Sequence, residues 1–276
     1  MIHCHQCGVE LPDKAKFCWN CGATQERPAA SATADSLINW DGDAGQKIKE
    51  LFFVQLKERV EEEQGLKKSQ EYSERVYESG FRDILERRVG QFLQQLDAAP
   101  CSSQMMDRKA MLLLDELLDF FLIKHCADLN RVNLPEIILS YHGYNQLTEV
   151  DLRKMILDFL DFQKEEETIY TDFLAMPIDK LKNAGKAFLF PDKEERILLI
   201  CDQSLFGSCK EGFALTEKGI YWKAHLQKPK KIAYRNLAEI KRVEDWITIN
   251  SQFFNVNPSV NIKMLKLLRK IIRLQD

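Results

Sequence analysis

Four cysteines in the first 22 residues are spaced in a way that can do chemistry: Cys4 and Cys7, ten intervening residues, then Cys18 and Cys21. A two-residue gap lets both thiolates of a pair point at one ion. A glycine directly after each pair, Gly8 and Gly22, supplies the unhindered backbone that such a tight turn needs. Four sulfurs around one centre suit zinc, or iron in the same tetrahedron. With every position filled by protein, no coordination site is left for a reacting water, so one structural Zn2+ is expected and not a catalytic one. His3 and His5 flank Cys4 and are expected at the surface, because four thiolates already complete the shell. A disulfide framework is the rival for a short cysteine-rich segment, but it needs an oxidising compartment. The chain shows no basic stretch leading into an apolar one at its start, and no run of about 18 apolar residues. A cytoplasmic setting with free thiols is therefore expected.

The residues Cys4, Cys7, Gly8, Leu11, Phe17, Cys18, Cys21 and Gly22 resemble the short zinc ribbons found at the N-termini of many bacterial proteins. A ribbon of this size cannot bury a core, so metal binding must supply most of its folding free energy. Trp19 beside Cys18 offers an aromatic contact surface. Lys14 and Lys16 alone make a weak phosphate footprint, which favours a protein partner over nucleic acid for the ribbon.

The elements that must carry the ribbon follow from length and periodicity. A chain of 276 residues has room for about two domains besides the ribbon. Its net charge of -3 hides an asymmetry: residues 1–185 hold 22 Lys and Arg against 32 Asp and Glu, and residues 186–276 hold 17 against 10. The two halves are therefore expected either to dock on each other or to serve separate partners. The ribbon spans 1–25, and a linker of small polar residues occupies 26–44, ending in Leu37, Ile38 and Trp40, which can dock on the helices that follow.

Residues 45–185 read as an all-α domain. Ile48, Leu51, Phe52, Leu56 and Val60 form one helical stripe, and Tyr72 to Leu96 form a second, giving two long helices with a break at Gly65. Residues 105–125 are apolar nearly all round, as in a buried bundle helix, with Asp115, Glu116 and Asp119 expected on a solvated edge. A helix opens at Leu134–Pro135 and closes at Ser140–Tyr144, and another is capped by Thr148. Glu165–Glu167 read as a solvated face. His125, Asp128 and His142 are the residues around which an unrecognised hydrolase would be built, although Cys126 beside them reads as a buried thiol.

Beyond Pro191 the period changes to that of strands, at 196–202, 212–216, 220–223, 231–234, 240–244 and 246–249, followed by a helix after Pro258. In that helix Val260, Met264, Leu267, Leu268 and Ile271 face the core, while Lys263, Lys266, Lys270 and Arg273 are expected to face outward. The run Gly212-Phe213-Ala214-Leu215-Thr216-Glu217-Lys218-Gly219-Ile220-Tyr221-Trp222-Lys223, followed by Ile232-Ala233-Tyr234-Arg235-Asn236-Leu237, resembles the bacterial pleckstrin-homology-like domains. The resemblance implies a β-sandwich over 186–276 capped by an amphipathic helix, and a non-catalytic binding module. Lys228, Lys230 and Lys231 with Lys241 and Arg242 are the candidate anion or partner contacts.

The whole is thus expected to be a multidomain α+β protein. Its expected role is that of a non-catalytic adaptor or regulator for protein partners, and a bacterial stress or phage-defence setting fits the domain combination. The alternative is nucleic-acid binding through the ribbon and the basic half. An anionic membrane surface is a lesser candidate, and no small-molecule substrate is evident.

Overall fold

A computed structural model describes residues 2–3, 8–11, 38–40, 42–65 and 69–275. The fold is mixed α+β. At the N-terminus, β1 (Ile2–His3) pairs antiparallel with β2 (Glu10–Leu11). A four-helix unit follows, made of α1 (Ala44–Gln64), α2 (Ser69–Glu78), α3 (Phe81–Ala98) and α4 (Ser103–Lys124). Each begins or ends for a local reason. The Asp43 carboxylate accepts from the Gln46 amide to start α1, and Ser102 does the same for Met105 at α4. Two long helices were expected over 46–96, but the second divides into α2 and α3. Gly80 there takes φ 71, the left-handed backbone that stops a helix. Buried residues recur every four along α1 at Ile48, Phe52, Leu56 and Val60, and they meet Phe81 and Phe121 in one core. Ile38 is buried in that core, and the Trp40 indole donates to Asp107 at 3.0 Å, so the end of the expected linker does dock on the bundle.

The segment after α4 is less helical than its periodicity suggests. Residues Glu136–Gly143 form a 3-10 helix, and α5 (Leu152–Leu160) starts at Asp151, whose carboxylate accepts from the Lys154 amide at 3.0 Å. Thr148 is not its cap. Residues Thr168–Tyr170, read as helical, are strand β3, and α6 covers Ile178–Ala187. Then come β4 (Ile197–Asp202), β5 (Gly212–Thr216), β6 (Gly219–Lys223), β7 (Lys230–Ala233), β8 (Ile240–Val243), β9 (Trp246–Ile249), β10 (Gln252–Phe254) and α7 (Pro258–Arg273). Strands β3 to β7 form an antiparallel five-stranded sheet in sequence order, and β8 to β10 a three-stranded one.

Alternation along β5 shows why this sheet is buried on both faces. Phe213 and Leu215 enter a core shared with the second sheet, α5 and α7, while Ala214 joins Tyr221, Ala184 and Phe188 under α6 on the opposite face. The core therefore runs across residue 185: Ile138, Met155, Ile156, Phe159 and Leu160 pack with the strands, and β3 extends their sheet.

The turn between β5 and β6 is built by the residues that carry its motif. The Thr216 hydroxyl accepts from the Lys218 and Gly219 amides at 3.2 and 3.0 Å. A β-carbon on Gly219 would lie 2.4 Å from the Ile232 carbonyl oxygen, so only glycine fits. Tyr234, from the second half of the motif, donates to the Thr216 carbonyl at 3.1 Å.

Candidate functional site

The four cysteines Cys4, Cys7, Cys18 and Cys21 lie outside the described residues. Among the described residues beside them, Ile2 pairs with Leu11 and His3 with Glu10, and Gly8, directly after Cys7 in sequence, takes φ 73. Four thiols in two close pairs form a donor set suited to zinc.

The densest charge in the described chain lies where the helical unit meets α7. Four residues of α7 at spacings of three and four, Lys263, Lys266, Lys270 and Arg273, form the stripe that was expected to face water. It faces protein instead. Lys263 is 2%, Lys266 7% and Lys270 8% exposed, because the sheets take one side of α7 and the acidic residues of α1, α4 and the 161–165 segment take the other.

Lys266 Nζ donates to Glu63 Oε1 at 2.9 Å and to Asp119 Oδ1 at 2.5 Å. Arg59 bridges Asp115 and Asp119, and Arg273 takes the other oxygen of Asp115. Arg269 grips both oxygens of Glu62 at 2.7 and 2.5 Å, and Lys263 donates to Glu165 at 2.6 Å. Asp115 and Asp119, buried, and Glu165, half-buried, were expected on solvated faces and are thus partners of cations. No sequence window holds both sides of these pairs, which are separated by up to 207 residues.

Burial opposes ionisation of Asp115, but Arg59 and Arg273 outweigh it and hold the carboxyl well below its ordinary value. At Asp119 burial is likewise outweighed, by Lys266 and Arg59. The same carboxylates hold Arg59 protonated against its own desolvation. Asp115, Asp119 and His142 lie close enough to hold a metal, with His142 Nε2 3.2 Å from Asp119. The donor set does not fit one: Arg59 and Arg273 take both oxygens of Asp115, Arg59 and Lys266 share Oδ1 of Asp119, and the three cations would repel a metal ion.

The other candidate residues sit apart from this junction or serve its structure. Arg242 donates to the Glu62 and Glu63 carbonyls at 3.2 and 2.8 Å, closing the C-terminus of α1, where a positive charge meets the negative end of the helix. Lys241 pairs with Glu239 at 2.5 Å. Lys231 lies over the Tyr221 ring and 3.7 Å from Glu195, and Lys230 lies over Trp222. Lys228 is exposed.

Among the described residues no hydrogen bond joins His125, Asp128 and His142. His125 packs against Phe81, Phe120 and Phe121, and burial followed by Arg75 and Lys124 pushes its pKa down. Asp128 accepts both Nη groups of Arg75, which lowers it to about 2. Burial raises the Cys126 and Cys209 thiols to about 12 and raises Cys201 as well.

Comparison with known families shows a zinc-ribbon domain at residues 3–24. No curated protein and no solved structure matches the chain. No helix among the described residues is long and apolar enough to cross a membrane.

Proposed function

We propose that this chain is a non-catalytic adaptor or regulatory protein of the cytoplasm. It recognises a macromolecular partner through a ribbon folded on one structural Zn2+ and through a pleckstrin-homology-like C-terminal unit. The observation that carries the reading is the state of the groups best suited to chemistry. The Cys126, Cys201 and Cys209 thiols are kept protonated by burial, and the Asp115 and Asp119 carboxylates are committed to cations. The C-terminal assignment is supported by four sequential antiparallel strands, β4 to β7, a second sheet of three, and a closing helix whose apolar face enters the shared core. It is supported further by the hydrogen bond that joins Tyr234 to the Thr216 turn.

Lys263, Lys266, Arg269 and Arg273 of the basic half are already paired with carboxylates, which leaves fewer cations for a polyanion and favours protein over nucleic acid as the partner. The test is native co-purification of the zinc-loaded chain with nuclease treatment, beside a Cys4→Ser, Cys7→Ser variant. Protein that survives nuclease and is lost with the variant sustains the reading. Retention of nucleic acid alone replaces it with the nucleic-acid alternative.

A further inference from the structure

Between α3, α4, the 142–146 segment and the last turns of α7 lies a groove of about 630 Å³, within the range of small-molecule sites. Its cations are not equivalent. Arg88 is neutralised by Glu116 at 2.8 Å, and Arg273 by Asp115. The side chains of Arg108, Lys109 and Lys270 make no hydrogen bond or ion pair with any described residue.

Lys270 is the anomaly among them. The residue is 8% exposed and its ammonium has no protein acceptor, so burial strips part of its water without a hydrogen bond in exchange. Both oxygens of Asp115 are held by Arg59 and Arg273, and at Asp119 Arg59 and Lys266 share Oδ1 while Oδ2 lies 3.2 Å from His142 Nε2. An anionic oxygen entering the groove would supply the missing acceptor, with Arg108 and Lys109 on α4 completing a positive wall for more than one negative charge.

The remaining lining is apolar and amide. Phe92 and Leu113 are buried in it, while Met105, Leu112 and Tyr144 present half-exposed apolar surface on which a flat ring can lie. Gln91, Gln95 and Asn145 add groups that donate and accept alike, the mixture a nucleobase edge requires.

We propose that this groove binds a nucleoside phosphate, its phosphates on Lys270, Arg108 and Lys109 and its base against Tyr144 and Met105. The inference stands apart from the partner reading, since it concerns the purified chain alone.

Calorimetric titration of the zinc-loaded full chain tests it, using adenosine, guanosine and uridine mono-, di- and triphosphates, with pyrophosphate, inorganic phosphate and free nucleosides as controls. Saturable binding is expected for at least one nucleoside di- or triphosphate, weakening by roughly ten-fold or more when its phosphates are removed. Lys270→Met and, independently, the exposed pair Arg108→Ala with Lys109→Ala should each weaken binding by about ten-fold or more while the protein remains folded. No saturable binding at millimolar nucleotide would overturn the site. Affinity unchanged in both variants would do the same. Pyrophosphate bound as tightly as the best nucleotide would overturn the base subsite and with it the ligand class.

Discussion

At Asp119 a single carboxylate answers two cations, Arg59 at 2.7 Å and Lys266 at 2.5 Å, each from a different helix. Removing one member of such a buried set leaves the others charged and unpaired, so Asp119→Ala should destabilise the fold by about 3–5 kcal/mol. Urea unfolding would measure it, and a loss below about 1 kcal/mol would mean that water screens the network. Lys270→Met should act in the opposite sense, raising stability by about 1–2 kcal/mol, because it removes a desolvated charge that has no acceptor.

The two sites also differ in their pH dependence. Asp115 and Asp119 are depressed below their unfolded values, so the stability they contribute is complete above about pH 5 and falls as pH drops through their folded values. Burial, then Arg273, lowers Lys270 to about 8. Its penalty is therefore complete below about pH 8 and is relieved as pH rises toward the unfolded value of about 10.4. Stability measured from pH 2 to 10 should rise through the acid limb and rise again above about pH 8 in the parent, with the second rise absent from Lys270→Met.

At the scale of elements, the β5–β6 turn and the ribbon carry separable tests. The β5–β6 turn has no room for a side chain at Gly219, where a β-carbon would meet a backbone oxygen at 2.4 Å. Gly219→Ala should therefore cost upwards of ~2 kcal/mol, read as a fall in the melting temperature of the whole body. The ribbon is expected to depend on its metal for its own folding. Chelation should release one zinc per chain by metal analysis and change Trp19 fluorescence, while leaving the melting of the helical and sheet units in place. A simultaneous collapse of those units would show that the ribbon braces them.

Across the whole molecule the relevant fact is that the core ignores the change of period near residue 190. β3 and α6 cover an edge and a face of the sheet, and the 3-10 helix Glu136–Gly143 and α5 pack in the core beneath α7. A fragment of residues 186–276 lacks all of these and should remain unfolded or aggregate. A fragment of 132–276 should show dispersed amide resonances. A well-dispersed spectrum from the shorter fragment would show that the strands and α7 suffice alone.

Local patterns in the chain were enough for the features whose causes are local. The cysteine spacing points to the ribbon, four-residue recurrence to α1, and alternation with a Thr216–Gly219 turn to the β5–β6 hairpin, because in each case the interacting residues lie within one turn or one strand of each other. The break at Gly80 and the cap at Asp151 were also written locally, in residue types that other helical signals obscured. The fate of the charges was not. Whether Lys266, Arg269 and Arg273 face water or carboxylates depends on which surface α7 meets, and that surface comes from α1 and α4, some 150 to 200 residues earlier. An amphipathic pattern assigns only one buried face to a helix, whereas α7 has two, one apolar and one ionic. The unpaired ammonium of Lys270 and the groove beside it exist only once three helices and the 142–146 segment have come together.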